Sequence, residues 1–135
     1  MNEYYQKFPV HFDQSTIIRE WLQIQFQRND GIPDEIRKEL LLAVNEIFLN
    51  FVKHSKLTQN DFIGITSLFQ ANTVKISFEE NSQGFDLTST NEPNLDILNE
   101  SGIGLFLVNN LMDEVEFIPH RANSENNKTT ILKRY

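Results

Sequence analysis

Residues 34–56 read DEIRKELLLAVNEIFLNFVKHSK, the longest uninterrupted helical pattern in the chain. Leu40, Val44, Ile47, Phe48 and Phe51 recur at three- and four-residue spacing, one wide apolar stripe that has to be buried. Along the other side run Glu46, Asn50 and His54 at i, i+4 and i+8, with Lys53 between the last two. Side chains four apart on a helix stand nearly above one another. An acid, an amide and an imidazole are therefore stacked on one edge of a helix whose opposite side is core. Taken alone, that edge reads as the solvated face of an amphipathic helix. The rest of the chain changes this.

Upstream, residues 4–12 alternate, with Phe8, Val10 and Phe12 on one side and Lys7 and His11 on the other. That is a half-buried strand, and Pro9 marks it as an edge. From Asp13 the period lengthens: Ile18, Trp21, Leu22 and Phe26 mark a first helix, with Asp13 or Ser15 as its N-cap. The run NDGIP (29–33) ends it, and Pro33 suits the first turn of the central helix. Asp34 and Glu35 follow where the helix dipole favours acids.

Downstream, runs at about 60–70 and 74–80 joined through Ala71-Asn72-Thr73 predict a hairpin. Residues 81–101, NSQGFDLTSTNEPNLDILNES, read as a long loop with at most a short helix. GIGLFLVNNLM (102–112) is a short helix with Leu105, Val108 and Met112 inward, DEVEFIP (113–119) a strand, and KTTILKRY (128–135) a last strand after a polar turn. The order β-α-α-β-β-loop-α-β-β has more strands than crossovers. It predicts one α+β domain over residues 1–135, a two-layer sandwich with a mixed, mostly antiparallel sheet and helices on one face.

With 39% hydrophobic and 23% charged residues in 135, the chain can bury a proper core and should be globular. A net charge of −7 repels duplex DNA and anionic membranes, but leaves room for a basic protein partner or a nucleotide held through a metal. The absence of cysteine excludes disulfides, thiolate metal sites and cysteine catalysis. MNEYYQKFPVHFD lacks a signal peptide's apolar run and no stretch reaches membrane-spanning length, so a cytoplasmic location is expected. Histidines at 11, 54 and 120 have no zinc spacing. Neither a Gly-x-Ser-x-Gly elbow nor a Gly-x4-Gly-Lys phosphate loop occurs.

Three places carry residue types suited to chemistry. One is the Glu46/Asn50/His54 edge; His54 reads equally as a cation at a helix C-terminus. The second is Glu80. It shares parity with Val74, Ile76 and Phe78, so it points inward if they do, and a buried carboxylate needs donors. Gly84 follows, where a ligand could approach the backbone closely. The third is Gly102-Ile103-Gly104 at a helix start, where backbone N–H groups and the dipole favour an anion. Each has an ordinary structural reading by itself.

In this order the three resemble the serine/threonine kinases that act as anti-sigma factors, within the GHKL (Bergerat-fold) ATPase superfamily. NEIFLNFVKHS is similar to that family's Glu-x3-Asn-x3-His box, SQGFD to part of its second box, and SGIGLFLVNNLMDEVEF to its third. The resemblance implies ATP and Mg2+ as cofactors, with Asn50 on the magnesium and Glu46 as general base for the attacking hydroxyl. It implies a nucleotide-binding set of Asn50, Lys53, His54, Glu80, Gly84, Gly102, Gly104, Leu105 and Thr130. Within that set Glu80 takes the adenine amino group, Thr130 supports Glu80, and the glycines admit the base and the phosphates. Residues 87–101 become the ATP lid. As partners it implies a sigma factor, an anti-anti-sigma protein phosphorylated on serine, and a second copy in a homodimer. Where the family has Asp-x-Gly-x-Gly this chain has Glu80-Asn81-Ser82-Gln83-Gly84, Ile103 stands at a frequent arginine, and Lys128 at a glycine. A second reading therefore stays open: a binding module of the same fold that sequesters its partner by contact alone.

Overall fold

The computed structural model describes residues 1–54, 57–58, 60–80, 100–118 and 127–135. Its elements are β1 (Asn2–Pro9), α1 (Gln14–Arg28), α2 (Asp34–His54), β2 (Phe62–Gln70), β3 (Thr73–Glu80), α3 (Glu100–Leu111), β4 (Glu114–Ile118) and β5 (Asn127–Arg134). The expected order of elements is the observed one.

The apolar stripe of α2 is buried throughout: Leu40, Val44, Ile47, Phe48 and Phe51 are each at most 1% exposed. They share one cluster with Ile18, Leu22 and Phe26 of α1, with Val108 of α3 and with the inward residues of the sheet. Burying side chains of this size is worth roughly 1.5–3 kcal/mol apiece, and this is what fixes α2 on the sheet.

The sheet runs β1-β2-β3-β5-β4 and is antiparallel at all four pairings, rather than mixed. One parity turns Phe8, Ile63, Ile65, Phe69, Val74, Ile76, Phe78 and Ile131 into the core. The other parity carries Lys7, Lys75, Glu79 and Glu116, none of them buried, so the helices cover one face only. β2 and β3 form the expected hairpin, turning at Asn72, whose φ of 56° an asparagine tolerates better than most residues.

Two local expectations fail near the N-terminus. β1 ends at Pro9, so the alternation does not carry to Phe12, which is 53% exposed. Pro9 itself sits on an edge strand, as expected. Neither proposed residue caps α1 through its side chain. Asp13 does occupy the N-cap position, as expected, but has helical dihedrals and makes no side-chain cap bond, its own N–H being accepted by His11 Nδ1. The Ser15 hydroxyl instead donates across to Asn45 of α2.

Candidate functional site

At Glu46 the polar edge of α2 faces α3 rather than open solvent. Glu46 lies against Gly104: a Cβ built on that glycine falls 3.0 Å from the Glu46 carboxyl carbon and closer still to Oε2. Seven residues further along α3, the Leu111 carbonyl accepts a hydrogen bond from Lys133 of β5, and Lys133 also lies 3.0 Å from the Glu39 carboxylate of α2. Gly104 is thus level with Glu46 and Leu111 with Glu39, so the two helices run antiparallel. One turn beyond Glu46, about 6 Å along the axis, Asn50 comes level with the Glu100 end of α3. A carboxylate, an amide and the first turn of a helix, where the dipole is positive, thus follow one another along the α2–α3 pair.

Asn50 is 4% exposed. Its Nδ2 donates to the Glu46 carbonyl at 2.7 Å, which fixes the amide so that the oxygen is the end turned away from the helix's own backbone. Among the described residues no three His, Asp or Glu side chains gather where they could hold a metal. A cation at this edge would have the Asn50 oxygen and would take phosphate and water for the rest, a donor set that suits magnesium.

Glu80 ends β3 on the core face, 2% exposed, as its parity predicts. It lies beyond the Phe51–Phe78 contact, whose ring centroids are 6.3 Å apart and which seats the second half of α2 on β3. Directly across from Glu80 on β5 is Asn127, and across from Phe78 is Thr129, each 2% exposed. Thr130 is a correction. It pairs with Ser77 on the other face of the sheet, where the two hydroxyls lie 3.1 Å apart, and so cannot support Glu80. Parity was the missed signal: Ile131 points inward, so Thr129 and Asn127 do too and Thr130 does not.

The remaining expected residues fall as follows. Leu105 is half-buried and packs on the core, while Lys53 is exposed near the end of α2. His54 is the last residue of α2, and its imidazole lies outside the described atoms. Gly102 is inside α3, which begins at Glu100, two residues before the glycine pair. Residues 100 and 101 of the expected lid therefore belong to this helix; residues 87–99 and Gly84 lie outside the described residues. A separate hollow between α1 and α2, lined by Ile18, Leu41, Val44 and Phe48, opens on the flank of α2 away from Glu46 and holds none of the candidate residues.

The histidine kinase-like ATPase domain matches residues 8–133 of this chain. The serine-protein kinase RsbW of Staphylococcus aureus is 31% identical over 120 residues, covering 81% of this chain and 74% of that protein. Among solved structures, the RsbU and RsbW domains of a Mycobacterium tuberculosis protein superpose with a TM-score of 0.70 at 14% identity. That match covers 99% of this chain, which spans only 32% of the larger one. The histidine kinase AdeS of Acinetobacter baumannii superposes with a TM-score of 0.51 at 13% identity, over 99% of this chain and 68% of its own. At such identities the two structures share the fold.

Proposed function

This chain belongs to the histidine kinase-like ATPase family, with the RsbW-type serine-protein kinases as its relatives, and from that premise we propose that it is an ATP-dependent protein serine kinase that also acts as an anti-sigma factor. The observation that supports the reading is Glu46 set against Gly104 on an antiparallel helix pair, with the buried Asn50 one turn further towards the start of α3. The partners we propose are a sigma factor, held until released, and an anti-anti-sigma protein that offers the serine; the working unit we propose is a homodimer.

In the proposed reaction the serine oxygen attacks the γ-phosphorus of ATP, the bond from that phosphorus to the ADP oxygen breaks, and ADP leaves. Glu46 takes the hydroxyl proton as the new bond forms. Asn50 would hold magnesium, which when bound supplies charge neutralisation on the phosphate oxygens. Backbone N–H groups at the first turn of α3 face developing negative charge with the helix dipole behind them. Glu80, with Thr129 and Asn127 on the same face, forms the floor for the adenine amino group. A carboxylate one methylene longer than the family's aspartate keeps the acceptor and changes its reach.

The test is transfer of labelled γ-phosphate to a serine of a small anti-anti-sigma protein. Glu46→Gln removes the proton acceptor while keeping the shape. Transfer should fall by about 10²–10⁴-fold, the usual contribution of a general base, with nucleotide affinity little changed. Transfer that persists in Glu46→Gln removes Glu46 from the chemistry. No transfer by the unaltered chain favours the contact-only binding module.

A further inference from the structure

We propose that Gly104 is a positioning residue for Glu46: it is glycine because the Glu46 carboxylate occupies the space where any other side chain would stand. The inference rests on the reading of Glu46 as general base and adds what holds that base in place.

Three reasons could demand glycine inside α3, and two fail. Backbone conformation does not require it, because among the described glycines only Gly31 has positive φ. Donating an N–H to a phosphate does not require it either, since every residue except proline carries the same donor. Helix propensity argues against it, for alanine is the better helix former. What remains is room. A Cβ at 104 would lie 3.0 Å from Glu46 Cδ, 3.6 Å from Cγ, and nearer still to Oε2. Among the described residues these three nearest atoms all belong to Glu46.

The consequence is mechanical. Glu46 is half-buried against α3, and α3 is fixed at its other end by Lys133, which binds the Leu111 carbonyl and faces Glu39. The carboxylate is thereby held between two helices whose register is set from both ends. Side-chain bulk at 104 overlaps the carboxylate and has to displace it. Misplacement by roughly 1 Å costs on the order of a hundredfold in rate.

The test is Gly104→Ala in three backgrounds: unaltered, Glu46→Gln and Glu46→Ala. Alanine within a helix ordinarily stabilises, so the sign of the melting shift is diagnostic. Gly104→Ala should lower the melting temperature of the unaltered chain and of Glu46→Gln, which keeps the bulk without the charge. It should raise that of Glu46→Ala, where the space is vacant. In the unaltered background phosphoryl transfer at saturating Mg-ATP should fall about a hundredfold. A rise in melting temperature in the unaltered chain, or a fall in Glu46→Ala, overturns the contact. Unchanged transfer overturns the positioning role. A chain that takes up no Mg-ATP at all overturns the kinase reading and leaves the contact to the three melting shifts.

Discussion

Lys133 does two things at once: its ammonium caps the Leu111 carbonyl at the end of α3 and lies beside Glu39 of α2. The two side chains are only 14% and 23% exposed, so solvent screens the pair weakly. Among the described residues Glu39 Oε2 makes no well-aligned hydrogen bond, which leaves the attraction mainly Coulombic. Lys133→Met keeps most of the apolar stem and strands a partly buried carboxylate. It should cost about 2 kcal/mol, below the 3–5 of a fully buried pair, as read from urea unfolding. The threonine pair on β5 gives a second prediction at this scale. Thr129→Val should weaken Mg-ATP binding by about fivefold, the equivalent of one hydrogen bond. Thr130→Val should leave that affinity unchanged and cost about 1 kcal/mol of stability through the lost Ser77 contact. The reverse pattern would return Thr130 to the site.

Among the elements, the packing of α1 on β2 contains a polar pair inside the core. Gln25 and Ser67 are 2% and 0% exposed, and the Ser67 hydroxyl donates to Gln25 Oε1, while Gln25 Nε2 has no partner among the described residues. Ser67→Ala alone should therefore cost about 1–3 kcal/mol, because it strands the remaining acceptor. Gln25→Leu with Ser67→Ala should restore stability to near that of the unaltered chain, as measured by chemical denaturation. Elements were also the most legible level of the sequence. The period of α2 announced both its core stripe and its polar edge, since burial and helical repeat are the same fact seen twice. What the sequence could not express was partnership. That Glu46 abuts Gly104 depends on α3 folding back antiparallel over α2, a long-range event that no local pattern encodes. Thr130 was misplaced for a simpler reason: a threonine doublet offers both parities, and only Ile131 beside it says which one faces in. Phe12 failed because alternation has meaning only while the chain stays extended, and the strand ends at Pro9.

For the whole molecule, the fold sets residues distant in sequence side by side: Glu46 of α2 against Gly104 of α3, and Glu80 of β3 across from Asn127 of β5. In the proposed function these two pairs, with Asn50 and the start of α3, make up one nucleotide site. Such a region is useful only if a ligand bridges it, and ligand that binds the folded state alone raises stability by mass action. The most direct measurement is calorimetric titration of the unaltered chain and of Asn50→Ala with ATP, each with and without magnesium. Saturable binding of Mg-ATP by the unaltered chain is expected, with loss of the magnesium-dependent part in Asn50→Ala. Absence of heat at millimolar nucleotide, or equal magnesium dependence in both proteins, would contradict it.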